Sequence, residues 1–249
     1  MVGLQGAHNK TLRYAKDLID DGFIGRMTSA SLAMHLDGHG PVVPDQYGYV
    51  ADASNHATLL TIAAAQALFA MRSVVGEFAT VSGVVGPQYD SVRLVPSGRM
   101  VPNDAPNQVV LAGVLDNGAH ASAHLSGGAS RLGGNCLTIC GTEGDLLIRS
   151  RGGANLHRAD LALWGGRGEA LEPMPIPDRY LMGSPSDLSL EMAAGVAGMY
   201  QQLAEALRSG GGVETDFAFA VRWQRFLEEV NRSSDLGVRV EPFADVSKD

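Results

Sequence analysis

The sequence predicts an α+β fold, a large open mixed or antiparallel sheet with helices packed on one face. Three observations lead there. Segments with two-residue alternation fill the middle of the chain, and segments with helical spacing lie early and late. Asp116-Asn117-Gly118 sits between two alternating runs, and an Asn-Gly pair in that place signals a hairpin. Several alternating runs also carry small polar residues on their second face, so that face meets solvent, a ligand or another subunit.

Taken in order, Val2-Gly3-Leu4-Gln5-Gly6 reads as the end of a strand, and Leu12 to Ile19 has helical spacing that Asp21-Gly22 stops. Met27 to Leu36 alternates, with Ala30, Leu32, Met34 and Leu36 on one face and Ser29, Ser31, Ala33 and His35 on the other. A Gly/Pro-rich loop, Gly38 to Tyr49, leads into a long apolar helix expected over Asn55–Arg72 and ended by Gly76-Glu77. On that helix Asn55, Leu59, Ile62, Gln66 and Phe69 form one stripe. Phe78 to Val85 is a strand, and Pro87 to Pro106 reads as a long irregular crossing. Gln108 to Leu115 and Ala119 to Leu125 form the Asn-Gly hairpin; Leu137 to Cys140 and Leu146 to Arg149 form another. Gly152 to Ser186 reads as a loop with short strands, Leu188 to Leu207 and Asp216 to Asn231 as helices, and Val238 to Val240 as a last strand. One domain over residues 1–242 and a tail over 243–249 follow from this pattern.

The balance of 45% apolar and 18% charged residues is that of a soluble globular chain. A net charge of -8 argues against a nucleic-acid surface, which needs clustered Lys and Arg. The lysines are Lys10, Lys16 and Lys248, so mid-chain Schiff-base chemistry is excluded. Cys136 and Cys140 share one strand face without metal-ligand spacing and are expected as free buried thiols of a reducing cytoplasm. No secretory signal or clean membrane span is read, and a cytoplasmic location is expected.

Polar constellations supply the candidate site. Asn55 and Gln66 are amides set into an apolar stripe, so they either bond neighbouring backbone or face a ligand pocket. Tyr47 and Tyr49 precede the helix and suit the wall of a pocket for a sugar-sized or aromatic ligand. His35, Asp37 and His39 alternate if the strand continues; they read as an acid–base or hydrogen-bonding set more readily than as a metal site. Gly38 and Gly40 equally allow a loop in which the three diverge. His120 and His124 share a strand face, either lining the same surface or buried in a subunit contact. Trp164 and Arg179 fall in the Gly/Pro-rich segment as a lid or as simple packing, and Asp52 as a helix cap.

A series of stretches gives a further reading: Val2 to Gly6, Ala15 to Gly25, Asn55 to Ile62, Val75-Gly76-Glu77-Phe78, Cys140-Gly141-Thr142-Glu143-Gly144, Asp216 to Val221 and Ser233 to Val240. In this order they resemble the carboxy-terminal domain of the glucose–fructose oxidoreductase / inositol dehydrogenase / rhizopine catabolism (Gfo/Idh/MocA) family, nearest the branch of the galactose-regulon repressor. The resemblance implies a substrate-binding and oligomerisation half, normally preceded by a Rossmann half that binds NAD(P). No strand–Gly-x-Gly-x-x-Gly–helix unit is found in the sequence, and the family's Glu-Lys-Pro segment is not found before Val2.

The resemblance also places a catalytic Gly-His and a later Asp at Ala65, Gln66 and Phe69. Gln cannot act as a general base near pH 7, and His56 is the nearest alternative histidine.

The expectation is therefore a domain that binds a small sugar-like or cyclic ligand, with no cofactor or metal held by this chain alone. NAD(P) enters only if a Rossmann half is supplied elsewhere. If the chain is catalytic unaided, proton transfer by His35, Asp37 or His56 would give elimination, isomerisation or cyclisation. Its rivals are a truncated or split NAD(P)-dependent sugar or polyol dehydrogenase and a non-enzymatic ligand sensor. The resemblance further implies a homodimer or higher homo-oligomer through the open sheet face, with no nucleic acid or membrane as partner.

Overall fold

The computed structural model of the chain describes residues 1–36, 38–128, 135–150, 156, 160–181 and 191–244. The strands are β1 (Met27–Leu36), β2 (Val42–Pro44), β3 (Phe78–Gly86), β4 (Ser91–Val95), β5 (Met100–Pro102) and β6 (Gln108–Leu115). They continue with β7 (His120–Gly127), β8 (Cys136–Gly141), β9 (Asp145–Ser150), β10 (Leu161–Gly166) and β11 (Glu172–Met174). An eight-stranded sheet has the order β11-β10-β9-β8-β1-β7-β6-β3. Its strands pair antiparallel except for β1 with β7, which run parallel. The helices are α1 (Lys10–Asp20), α2 (Ala65–Val75), α3 (Glu191–Ser209) and α4 (Phe217–Leu236).

Alternation decides which sheet face is covered. Ala30, Leu32, Met34 and Leu36 of β1, Val109 and Leu111 of β6, and Ala121, Ala123 and Leu125 of β7 are buried in one core with Leu59, Leu68, Met71, Trp223 and Phe226 of the helical layer. The second face carries Ser31, Ala33, Val84, Val110, Ala112 and His124, all exposed. Cys136 and Cys140 point the same way as free thiols, half-buried and not fully buried as expected.

The recurring sequence stretches have structural reasons. Gly141 can carry no side chain, because a Cβ there would lie 2.0 Å from the Ile24 carbonyl oxygen. The adjoining turn is pinned by Thr142 N–H to Arg26 O and Glu143 N–H to Ile24 O, each 3.0 Å. At the sheet's edge, β3 donates Gly83 N–H to Ser233 Oγ at 2.9 Å and Val85 N–H to Ser234 Oγ at 2.8 Å. Val81 and Val240 exchange two backbone bonds of 2.9 Å. The end of α4 and the residues after it thus occupy an edge that would otherwise offer unpaired donors to another chain.

Four expectations are corrected. Pro87 to Pro106 is not irregular: β4 and β5 lie there and join β2 in a three-stranded sheet, β2-β4-β5, over a small core of Val43, Val50, Ala51, Val92 and Leu94. Val2 to Gly6 is not a strand; a 3₁₀ turn covers Gln5–His8. The last helix runs past Asn231 to Leu236, where Gly237 at φ 63° ends it, and Val238 to Val240 contributes only an isolated bridge.

The fourth correction is the start of the long helix. Ala53–Asn55 is a 3₁₀ turn, His56 is left-handed at φ 55°, and Leu60–Ala64 is a π turn before α2. Thr58 and Thr61 explain the delay: Thr58 N–H donates to Thr61 Oγ1 at 3.0 Å, and that hydroxyl donates to His56 O at 2.6 Å. Asn55 therefore stands outside the helix and off the stripe. Ala53–Val75 is long and apolar enough in composition to cross a bilayer, yet 67% of its most apolar window is buried in this fold.

Candidate functional site

On the open sheet face, register sets Gln108 of β6 opposite Ser126 of β7, and Ser126 opposite His35 of β1. Ser126 Oγ donates to Gln108 Oε1 at 2.9 Å, and His124 Nε2 lies 3.2 Å from both of those oxygens. Ser31 and Ser122 hydroxyls meet at 3.0 Å, four residues along β1 and β7 from the His35 and Ser126 pair. His35 and His124 thus belong to one polar patch; His120 lies further along β7, opposite Ser29 and Val114. Ser126 shares the face that alternation gives His120 and His124, whereas Gln108 is not singled out by the sequence, although pairing outward from the Asn-Gly turn sets it against Ser126.

His35 is half-buried on this face, its backbone tied to Asn135 by a 2.7 Å bond from its N–H. Asp37 lies outside the described residues, so the grouping of His35, Asp37 and His39 is not described. His39 is held below the ordinary histidine pKa by burial.

A second group precedes α2. Tyr47 and Tyr49 are exposed in a 3₁₀ segment, Asp45–Ala51, with rings edge-to-face at 6.4 Å. Asn55 Nδ2 donates to the Tyr49 carbonyl at 3.0 Å, and His56 is exposed beside it. Asp52 caps the short turn, not the helix: Ser54 N–H donates to Oδ1 at 2.9 Å, and the Ser54 hydroxyl and N–H hold its carboxyl below the usual range.

Gln66 divides the two readings made of it. Its Nε2 donates to the Gly3 carbonyl at 3.4 Å, whereas its Oε1 is buried without a hydrogen-bond partner. Phe69, one turn on, is 1% exposed and packs edge-to-face on Phe219 at 5.6 Å and on Trp223 at 5.9 Å.

Further along α2, Arg72 bonds Glu77 through Nε at 2.7 Å and Glu214 through Nη1 at 2.8 Å. Its guanidinium lies 4.8 Å from the Phe219 ring centre. Arg222 closes on Glu77 from the other side.

Trp164 and Arg179 do not form a lid together. Trp164 is a half-buried member of β10, in register with Leu147 and Pro173. Arg179 stacks 4.8 Å over Tyr180, whose hydroxyl donates to Asp17 of α1.

Among the described residues no Rossmann-type dinucleotide crevice is formed. The large sheet is almost wholly antiparallel, its helices lie on one face, and the glycine run Gly210-Gly211-Gly212 joins two helices with no strand before it. A pyrophosphate crevice needs parallel strands meeting at a switch point with a helix N-terminus beneath it.

An open mixed sheet of this order with its helices on one side is the fold of the C-terminal domain of Gfo/Idh/MocA-type oxidoreductases. The chain belongs to the Gal80p C-terminal-domain-like family, whose model matches residues 11–150. A super-repressor mutant of Gal80p from Saccharomyces cerevisiae superposes with a TM-score of 0.81 at 19% identity, covering 97% of this chain and 64% of that one. Levoglucosan dehydrogenase in complex with NADH and L-sorbose gives 0.75 at 20%, covering 98% of this chain and 67% of that one. An NAD-binding oxidoreductase from Klebsiella pneumoniae gives 0.78 at 16%, covering 98% and 67%. The chain thus spans about two thirds of each of these proteins. No curated protein sequence matches it.

Proposed function

We propose that this chain is the ligand-gripping and assembly half of a Gfo/Idh/MocA-type protein, taking a small polyhydroxylated or cyclic molecule and not performing hydride transfer by itself. The observation that carries this is the pair Gln66 and Phe69. An amide with one buried, unpartnered oxygen stands where the resemblance puts the proton-transfer histidine, and an aromatic ring locked in the core stands where it puts the aspartate. A buried acceptor without a donor is a costly arrangement in the unliganded state, and a ligand hydroxyl would relieve it. Tyr47, Tyr49, Asn55 and His56 line the approach to α2 in this reading. His56, exposed and left-handed, is the group for any proton transfer, with His35 and Asp37 on the sheet side. Trp164, Arg179, His120 and His124 contribute to ligand or partner contacts.

The open sheet face joins two copies in this proposal. Val84 is 69% and Val110 39% exposed among small polar neighbours, a flat mixed surface suited to self-association. The protein would work in the cytoplasm, away from nucleic acid and membrane.

A sensor reading is favoured next, because Gal80p of Kluyveromyces lactis is described as a transcriptional regulator and shares the fold at 20% identity. A truncated or split NAD(P)-dependent sugar or polyol dehydrogenase is the third, because levoglucosan dehydrogenase, in complex with NADH and L-sorbose, shares the fold at 20% identity. Calorimetric titration separates them. L-Sorbose should bind, and Gln66→Ala should weaken binding; NADH and NADPH should give no heat. Stoichiometric NADH binding by this chain would overturn the proposal.

A further inference from the structure

A cleft of about 650 Å³ opens between α1, the later half of α2, α3 and the loop that carries Glu214. That is the size of a small-molecule site. It lies at the opposite end of α2 from Gln66. Its charged groups are not equivalent. Arg72 and Glu77 are saturated by each other, by Glu214 and by Arg222. Lys16 is paired with Asp20. Arg13 makes no ion pair among the described residues: its guanidinium lies 5.7 Å from the Tyr180 ring centre, and its Nη1 is buried without an acceptor.

His8 beside it is held below the ordinary histidine pKa by burial and by the Arg13 charge, so it is neutral at pH 7. The wall at Arg13 therefore offers an Nη1 donor without an acceptor, beside an Asp17 carboxylate that already accepts from the Tyr180 hydroxyl. Across the cleft stand Asp116, Glu214, Gln202 and Ser73, groups that accept from or donate to hydroxyls.

We propose that this cleft is a second binding site, for a polyhydroxylated monocarboxylate of the sugar-acid class, with the carboxylate on Arg13 and the hydroxyls on Asp116, Glu214, Gln202 and Ser73. Occupation requires the Arg13 side chain to turn outward, which breaks no hydrogen bond at Nη1. The site is independent of the ligand proposed at Gln66.

Calorimetry with gluconate as probe and sorbitol as its uncharged counterpart tests this on the full chain. In the Gln66→Ala chain, where the first site is weakened, gluconate should bind and sorbitol should not. Arg13→Gln should weaken gluconate about tenfold or more, the worth of a charge-assisted hydrogen bond. Asp116→Asn should weaken it by a smaller factor of about three, because the amide oxygen still accepts from a ligand hydroxyl. Gln66→Ala and His56→Ala should leave gluconate affinity unchanged, which keeps this outcome separate from that of the first site. Matching melting temperatures for Arg13→Gln and the native chain show that a loss is not unfolding; Arg13→Lys, partly restoring affinity, serves if they differ. No gluconate heat, equal binding of sorbitol in the Gln66→Ala chain, or unchanged gluconate affinity in Arg13→Gln would overturn the proposal.

Discussion

The two ends of the α2 region are built on opposite terms. The leading end is irregular and under-bonded: a left-handed His56, a π turn over Leu60–Ala64, an exposed Ile62 and a Gln66 amide with one oxygen unanswered. The trailing end is cross-linked: Arg72 is held by two carboxylates and a ring face, Phe69 is wedged between Phe219 and Trp223, and Gly76 ends the helix at φ 99°. A π turn and a left-handed residue cost free energy that the surroundings must supply. The anchored end is the part of α2 with the contacts to offset that cost, and the irregular end is where the proposed ligand would sit.

Mutations should separate the ends. The largest loss is expected from Phe69→Ala, about 3–5 kcal/mol, the range for truncating a buried aromatic; urea unfolding would read it. If the loss stayed below 1 kcal/mol, the anchored end would not be the anchor. Arg72→Ala should follow at about 2 kcal/mol, since Glu77 keeps Arg222 but is left partly buried, and partial exposure discounts the pair. Gly76→Ala should cost about 1–2 kcal/mol from the positive φ, with a Cβ also meeting Asp116 Oδ1. At the other end Ile62→Ala should move stability by less than about 0.5 kcal/mol. Gln66→Leu should be neutral or stabilising by up to about 1 kcal/mol, because it removes an unsatisfied acceptor. A marked destabilisation there would mean the amide is structural.

The smallest effect is in pH. His8 and His39 have folded pKa values below 6.5, so the unfolded chain binds protons first as pH falls through that value. Stability should therefore be fully present above pH 6.5 and decline below it, until the folded-state values are reached. His8→Gln and His39→Gln should each flatten part of that slope in denaturation midpoints measured between pH 7.5 and 5.5.

Local chemistry made β1, the Asn-Gly hairpin and the Cys136–Ser150 hairpin readable, because long alternating runs and a turn that demands φ > 0 at Gly118 leave little choice. The stretches behind the family resemblance are each held by geometry: Gly141 meets the Ile24 backbone, Gly25 at φ 65° meets the Thr142 and Glu143 side chains, and Ser233 accepts from the Gly83 amide. The small sheet was hidden because strands of three residues are too short to show a period and lie among Pro and Gly. The helix start was misread because Thr58 and Thr61 compete for backbone through their hydroxyls, which composition does not reveal. At the candidate site, His124 could be assigned its face but His35 could not be assigned its neighbour. Its partner strand is parallel and about ninety residues away, with no local turn to set the register. The Gly3 carbonyl that meets Gln66 is a backbone group 63 positions distant, to which side-chain patterns are blind.

The placing of β1 between β7 and β8 bears on how the molecule assembles. β3-β6-β7 and β8-β9-β10-β11 are each laid down by neighbouring stretches of chain, yet they never touch edge to edge; a strand synthesised long before either is the seam between them. Ser31 must wait for Ser122, 91 positions later, before its own ladder begins to close. Losing that seam would therefore leave two separate meanders, each ending in a raw border of unpaired amides, and self-stacking of such borders is the failure to expect.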